Sequence, residues 1–200
     1  MTALEEELAQ HAVAQESYLT IGVFDGVHLG HRSLLELLRR EAAAASCLPG
    51  VVTFCNHPRE VLSPGTRIPV LLPLEERLRR LRDQGMKVVA GVTFTPEVSR
   101  LSAREFVGLL QRYLRMRGLV AGPDFALGHD REGTIAALTA LGDELGFRVV
   151  VAPPYTQGDR RLSSSLVRSL VLEGDVRQAA QLLGRPFAVV GRVERGEGRG

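Results

Sequence analysis

Two histidines, His28 and His31, stand where residue type and spacing most clearly offer chemistry. They follow an apolar run over residues 19–24 and a break at Asp25-Gly26, and a leucine-rich stretch comes after them. A strand, a glycine turn and a helix N-terminus in this order direct backbone N–H groups outward, and the helix dipole favours an anion. The spacing of three places both imidazoles on one face of the first helical turn. The pattern predicts a nucleotide phosphate site.

Two other interpretations of the histidine pair are open. The histidines could be ordinary surface residues near a helix start, or they could be metal ligands. Zinc needs three or four ligands, and no cysteine or acidic residue stands at a suitable spacing, so zinc ranks low. The flanking glycines, Gly26 and Gly30, favour the phosphate site because they let a ligand approach the backbone closely.

A run of three serines, Ser163 to Ser165, precedes Arg168 by about one helical turn. Serines at a helix N-terminus usually cap the helix, but three in a row exceed what a cap needs. Their hydroxyls, the helix dipole and the Arg168 guanidinium could together clamp a polyphosphate. The chain has no Gly-x-Ser-x-Gly motif, so a nucleophilic serine is not indicated.

Two weaker candidates follow other predicted strands. Asn56-His57-Pro58-Arg59 precedes a long proline-containing loop over residues 61–73, and a loop of that length is often a ligand lid. Alone, this tetrapeptide is as compatible with a simple turn as with a site. Asp124-Phe125 follows Gly122, and an aromatic residue on a loop can stack on a planar ligand although it more often belongs to the core.

Lysine usage excludes two kinds of phosphate chemistry. Lys87 is the only lysine, and it lies in Met86-Lys87-Val88, so the chain has neither a Walker A loop nor a protein-kinase signature. Phosphate chemistry here must therefore use histidine, arginine, serine and backbone groups.

The composition is ordinary for one globular domain, with 44% hydrophobic and 24% charged residues among 200. A net charge of +2 does not imply nucleic acid as a partner.

No apolar run approaches the roughly 20 residues of a membrane helix, and the acidic start of the chain, Glu5 to Glu7, is not that of a secretory signal. Cys47 and Cys55 cannot form a disulfide framework. We expect a cytoplasmic protein.

Strand and helix patterns alternate along the chain, which favours an α/β fold with a parallel sheet of about five strands flanked by helices. The predicted strands cover residues 19–24, 51–55, 87–94, 119–121 and 147–152, with a new strand over 187–193. The predicted helices cover residues 30–45, 74–85, 102–118, 134–145, a segment from 163, and 176–183.

Ligands of a parallel sheet bind at the carboxyl ends of its strands. We therefore expect loops 25–31, 56–59 and 122–128 and the serine run to converge.

Several motifs together resemble the bacterial bifunctional riboflavin kinase/FMN adenylyltransferases, also called FAD synthetases. The matching segments occur in family order and cover residues 20–31, 52–62, 122–128, 162–176 and 183–187. The resemblance implies a Rossmann-like, HIGH-type nucleotidyltransferase fold. It also implies a domain over residues 1–184 that makes FAD and pyrophosphate from FMN and ATP with Mg²⁺. Residues 185–200 resemble the opening of a riboflavin kinase domain, which accompanies this module in the full-length family form. We expect no kinase activity from residues 1–200 alone.

The resemblance also implies roles for individual residues. His28, His31 and Arg168 would act on the ATP phosphates as catalytic residues. The FMN phosphate would attack the ATP α-phosphate directly and in line, so these groups would only position and stabilise charge. The remaining ATP-binding positions would be Gly22, Phe24, Asp25, Gly30, Ser163 and Ser164. The flavin-binding positions would be His57, Pro58, Arg59, Asp124 and Phe125. The metal ligands stay unassigned.

The chain departs from the family pattern at three places. Cys55-Asn56 stands where the family usually has Glu-Pro, residues 128–133 replace a basic glycine-rich run, and Ser165 replaces threonine. Two alternatives therefore stay open beside the FMN adenylyltransferase. One is a non-catalytic protein that binds flavin or nucleotide, and the other is an adenylyltransferase for another phosphate acceptor.

Overall fold

A computed structural model describes residues 1–157, 160–189 and 191 of the chain. A central sheet of five parallel strands runs in the order β3-β2-β1-β4-β7. Two short antiparallel ribbons, β5-β6 and β8-β9, accompany it. The strands are β1 (Ser17–Gly22), β2 (Leu48–Phe54), β3 (Val88–Val92), β4 (Met116–Ala121), β5 (Ala126–Leu127), β6 (Gly133–Thr134), β7 (Arg148–Val151), β8 (Thr156–Gln157) and β9 (Arg160–Arg161). The predicted α/β class and five-stranded parallel sheet are confirmed.

Helices connect and flank these strands. They are α1 (Ala3–Ala9), α2 (Leu29–Ala44), α3 (Pro58–Leu62), α4 (Leu74–Asp83), α5 (Pro96–Ser99), α6 (Ala103–Leu114), α7 (Ile135–Leu145), α8 (Ser164–Leu172) and α9 (Val176–Leu183), with a 3₁₀ turn at His129–Arg131. Within the described part of the chain, no helix has the length and apolar character needed to cross a membrane.

Alternating strand residues divide the core into two layers, one on each face of the sheet. Leu19 and Ile21 of β1 pack with α1, α6 and α7, whereas Tyr18 of the same strand packs with α2 and α4. A third apolar cluster joins α8 and α9 to Leu71. The strand order reverses between β1 and β4, and the crevice at their carboxyl ends is where ligands of such sheets bind.

Local signals set several helix ends as predicted. Ser102 and Glu105 form the capping box of α6, with each side chain bonded to the other's backbone N–H. Asp175 caps α9, and Gly184 ends it in the left-handed conformation.

Other predicted boundaries are wrong. Helix α6 ends at Leu114, with Arg115 in the left-handed region at φ +53°, and Gly118 lies inside β4. Residues 95–100 contain helix α5 rather than a plain connector. The first strand ends at Gly22, two residues before the predicted end. Of the predicted strand 187–193, residues 187–189 have no strand conformation, and residues 190, 192 and 193 lie outside the described residues.

Candidate functional site

The turn between β1 and α2 has an unusual backbone. Phe24, Gly26 and Val27 all have positive φ, at +52°, +82° and +40°. Positive φ is costly for a β-branched residue such as Val27, so surrounding contacts must hold it. Neighbouring side chains bind the carbonyl oxygens of this turn and supply that constraint.

Arg77 of α4 holds the start of the turn. Its guanidinium donates to the carbonyl oxygens of Val23 (2.9 Å), Phe54 (2.8 Å) and Cys55 (3.2 Å). Arg77 is only 3% exposed, and burial lowers its pKa. One buried cation therefore ties the ends of β1 and β2 together.

Two further side chains hold the rest of the turn. The Ser164 hydroxyl donates to the Asp25 carbonyl oxygen at 2.8 Å. The Arg185 guanidinium donates to the carbonyl oxygens of Gly26 at 2.7 Å and Val27 at 3.4 Å. Helix α8 and the segment after α9 thus fix the turn through hydrogen bonds to its carbonyl oxygens.

The imidazoles of His28 and His31 are stacked, with ring centroids 3.6 Å apart and an interplanar angle of 12°. His28 is the N-cap of α2, and its Nδ1 accepts the His31 backbone N–H at 3.2 Å. The Phe24 ring lies 5.1 Å from the His31 ring. The predicted placement of both histidines on one face of the first helical turn is confirmed.

Burial determines the protonation of this pair. It lowers the pKa of His28 to about 4, and burial together with the neighbouring His28 and Arg77 lowers the pKa of His31 well below its ordinary value. Both rings are therefore neutral at pH 7. Because the Nδ1 atom of His28 accepts a hydrogen bond, its single proton sits on Nε2. His28 can thus donate to a phosphate without carrying a charge.

Asp25 has a different environment from the one expected of a ligand-binding residue. Its carboxylate is buried and accepts backbone N–H groups from Leu71 at 2.9 Å and Leu72 at 3.2 Å. It also pairs with Arg168, with 3.2 Å between Oδ2 and Nη2. Asp25 therefore shapes the site by joining the loop over residues 63–73 and helix α8 to the turn.

The serine run caps α8 and also reaches the turn. Ser163 is the N-cap, and its Oγ accepts the Leu166 N–H at 3.2 Å. Ser164 bonds to the Asp25 carbonyl oxygen, and Arg168 bonds to the Asp25 carboxylate. We call the turn between β1 and α2, residues 23–28, the histidine turn. The serine run and Arg168 contact this turn as expected, and both contacts are made to Asp25.

A cavity of about 640 Å³ opens beside the turn at the end of β1. Its walls are mainly aliphatic and aromatic, with a few polar residues. The lining residues are Ile21, Gly22, Val23, Phe54, Pro58, Leu62, Phe94, Val98, Ser99, Leu101, Phe106, Phe125, Ala126, Leu127, Gly128, His129, Asp130 and Arg131. A cavity of this size and character suits a small organic ligand with few polar anchors.

Among the predicted flavin-side residues, Pro58 and Phe125 line this cavity, whereas His57, Arg59 and Asp124 do not. His57 caps α3 through its Nδ1, which accepts the Arg59 N–H at 3.2 Å. Asp124 forms an ion pair with Arg161. These three residues are adjacent in sequence to residues that line the cavity, but they do not line it themselves.

Arg77 and Arg185, which both bind carbonyl oxygens of the turn, are not among the residues predicted from the sequence. A signal existed for Arg77, because it stands three residues after Leu74 and four before Leu81, on the apolar stripe of α4. Nothing in the sequence marks Arg185 as a partner of this turn, because the residues that it binds lie 158 and 159 positions earlier.

Possible metal ligands among the described residues are their His, Cys, Asp and Glu side chains. Among residues 1–157, 160–189 and 191, no group of three or more His, Cys, Asp or Glu side chains could hold an ion. Asp25, the carboxylate in the turn, already binds two backbone N–H groups and Arg168. The described residues therefore do not form a resident metal site.

Comparisons with known proteins show which proteins this chain is similar to. A bifunctional riboflavin kinase/FMN adenylyltransferase of Escherichia coli K12 is 37% identical over 180 residues, which are 90% of this chain and 58% of the relative. The Listeria monocytogenes protein of the same name is 33% identical over 183 residues, 91% of this chain and 58% of that protein. The chain thus spans less than two thirds of these relatives.

A solved structure, described as a macrolide-efflux protein from Streptococcus pneumoniae, superposes with a TM-score of 0.84 at 26% identity. The match covers 93% of this chain and 60% of that one. The family model for FAD synthetase matches residues 10–166, well over half of the chain. The chain therefore belongs to the FAD synthetase family.

Proposed function

We propose that the chain is an FMN adenylyltransferase, which makes FAD and pyrophosphate from FMN and ATP. Membership of the FAD synthetase family supports this activity, as do the names of the relatives. Those relatives are also named riboflavin kinases, and we assign that activity to the part of their length outside the match.

One observation carries the proposal. The apolar cavity and the histidine turn share the end of β1, because Gly22 and Val23 line the cavity and Phe24 begins the turn. A flavin ring in the cavity and a nucleotide phosphate at the histidines would therefore be neighbours. Pro58 and Phe125 would contact the flavin, with His57, Arg59 and Asp124 beside them.

The proposed reaction needs no protein nucleophile, because the FMN phosphate is already anionic at neutral pH. One of its oxygens attacks the α-phosphorus of ATP in line. A new P–O bond forms, and the bond from the α-phosphorus to the bridging oxygen of the β-phosphate breaks. Pyrophosphate leaves with the electron pair of that bond. The protein contributes positioning and stabilisation of the developing charge.

The stacked histidines supply uncharged donors for that charge. The Nε2–H of His28 is the donor that its hydrogen bonding defines, and His31 stacks directly against it. We propose that both act on the ATP phosphates with Arg168, whose Nη2 is held by Asp25. Gly22, Phe24, Asp25, Gly30, Ser163 and Ser164 would shape the ATP pocket.

We propose that Mg²⁺ accompanies the ATP phosphates, as is usual for an ion that keeps several water ligands. The described residues contain no cluster of carboxylates, histidines or cysteines that would hold it in advance. The ion would supply positive charge to the ATP phosphates, and the histidines and Arg168 would supply hydrogen-bond donors from the protein.

Release of pyrophosphate with different acceptors tests the proposal. FMN, a pantetheine phosphate and nicotinate mononucleotide are each supplied with ATP and Mg²⁺, and pyrophosphate is measured by a coupled assay. We expect turnover with FMN. Turnover with another acceptor alone would favour a related adenylyltransferase. Tight FMN binding without pyrophosphate release would favour a non-catalytic flavin-binding protein.

A further inference from the structure

Two aromatic rings form one wall of the cavity. Phe54 ends β2, and Phe94 lies two residues beyond the end of β3. Their ring centroids are 5.3 Å apart, and the rings meet edge to face at 85°. Both line the cavity, so their relative placement sets the shape that a planar ligand meets.

Backbone pairing between β2 and β3 stops short of Phe94. The Cys55 N–H donates to the Val92 carbonyl oxygen at 2.8 Å, one position beyond the paired strands. Phe94 lies past this bond, next to Thr95, which caps helix α5. Its position therefore depends on contacts made outside the sheet.

Asn56 supplies those contacts with both ends of its amide. Its Nδ2 donates to the Phe94 carbonyl oxygen at 2.8 Å, and its Oδ1 accepts the Phe94 N–H at 2.8 Å. Asn56 is the only asparagine in the sequence. It is half-buried. Beyond the last backbone hydrogen bond between the two strands, its side-chain amide binds the backbone of Phe94 as a neighbouring strand would.

We propose that Asn56 is a positioning residue for flavin binding, since its amide fixes the backbone of Phe94 and so holds the Phe54–Phe94 wall of the cavity. The inference rests on the proposed function in one respect, the identity of the planar ligand as FMN. It assigns Asn56 no contact with the reacting phosphates.

The chemistry of the amide makes the proposal specific. The tether needs one donor and one acceptor at the same time, which an asparagine side chain provides and an ionised aspartate does not. A carboxylate at this position could still accept the Phe94 N–H. It would face the Phe94 carbonyl oxygen with no proton to donate, and the two oxygens would repel. Asn56→Asp thus removes half of the tether with almost no change in volume.

The test compares Asn56→Ala and Asn56→Asp with the wild-type chain. The dissociation constant for FMN is measured from flavin fluorescence without ATP, and KM for ATP is measured in the pyrophosphate assay. Loss of hydrogen bonds of ordinary strength predicts an increase of about 5- to 10-fold in the FMN constant. KM for ATP should stay within about twofold of wild type, because the histidine turn is untouched.

Gln111→Ala is the matched control. Gln111 is also half-buried, its amide donates to the Leu145 carbonyl oxygen at 2.9 Å, and it does not line the cavity. This variant should bind FMN as the wild type does. Equal weakening of FMN binding by Gln111→Ala and Asn56→Ala would show a general loss of stability and would overturn the proposal.

A double mutant identifies Phe94 as the residue through which Asn56 acts. Phe94→Leu keeps the tethered backbone and removes the aromatic ring. If the tether works by placing that ring, Asn56→Ala combined with Phe94→Leu should weaken FMN binding no more than the worse single variant. Additive losses would overturn the proposal, as would unchanged FMN binding in both Asn56 variants. A wild-type chain that binds FMN but forms no FAD would contradict the proposed function only.

Discussion

The carboxylate of Asp25 and the guanidinium of Arg168 form an ion pair with 3.2 Å between Oδ2 and Nη2, although the residues are 143 positions apart. Their side chains are only 3% and 14% exposed. The same carboxylate accepts the backbone N–H groups of Leu71 and Leu72. One buried acid thus joins the histidine turn, the loop over residues 63–73 and helix α8.

Asp25→Ala should therefore be strongly destabilising. It leaves the Arg168 guanidinium and two backbone N–H groups without their acceptor, and breaking a buried pair from one side costs about 3–5 kcal/mol. The free energy of unfolding from denaturant titration measures the effect. Glu144→Gln is the control, because it removes an exposed pair with Arg104, which should contribute about 1 kcal/mol or less. Equal losses in both variants would contradict the structural role of Asp25.

Arg77→Met should show how far the turn depends on one buried cation. Three carbonyl oxygens lose a charged donor, so we expect a loss of about 3 kcal/mol in the free energy of unfolding. Arg79→Met, two residues along the same helix, removes only exposed ion pairs with Glu76 and Asp83. That control should cost about 1 kcal/mol or less, and a larger loss for Arg79→Met than for Arg77→Met would refute the assignment.

His31→Ala should lower kcat for FAD formation by about 10²- to 10³-fold, the usual result of removing one donor to a developing oxyanion. The dissociation constant for FMN should stay within about twofold of wild type, because His31 does not line the cavity. His11→Ala, which replaces a histidine outside the turn and the cavity, is the control and should retain wild-type kcat. A His31→Ala variant that turns over at the wild-type rate would remove His31 from the mechanism.

The histidine pair also predicts a pH dependence of stability. Burial lowers the pKa of His28 from its ordinary value of 6.5 to about 4, so between these values the unfolded chain binds more protons than the folded one. The free energy of unfolding should be fully retained above pH 6.5 and should fall as the pH drops toward 4, with about 3 kcal/mol from His28. Denaturant titrations across this range measure the slope.

His28→Asn tests the contribution of His28 to that slope. Asparagine is also a good N-cap, so the variant should keep helix α2 capped while it removes one of the two titrating imidazoles. We expect a flatter dependence on pH between 4 and 6.5 than in the wild type. A slope identical to that of the wild type would show that other groups cause it.

Several predictions from the sequence hold where the cause is local. The capping box of Ser102 and Glu105 depends on residues three positions apart, and so does the placement of His28 and His31 on one face. Gly118 shows the opposite case. It was predicted to end a helix, but it lies in β4, where an added Cβ would come within 2.3 Å of the Tyr18 ring. That constraint comes from a neighbouring strand, about one hundred residues earlier in the chain, and no local pattern contains it.

The candidate site also has a part that a local pattern predicts and a part that only the fold shows. The turn that carries His28 and His31 could be predicted because a strand, glycines and a helix start occur together in the sequence. The residues that hold this turn, Arg77, Arg185 and Ser164, approach it from separate elements. Asn56 looked like part of a turn or a departure from the family pattern, and only the fold shows that it bonds to Phe94, 38 positions away.

The most direct test of the account is a single reaction with FMN, Mg²⁺ and ATP labelled with ³²P at the α-phosphate, with products separated by chromatography. Attack of the FMN phosphate on that phosphorus predicts that the label moves into FAD, that unlabelled pyrophosphate appears in equal amount, and that both depend on FMN. No labelled FAD, or label recovered only in AMP, would contradict the proposal that this chain is an FMN adenylyltransferase.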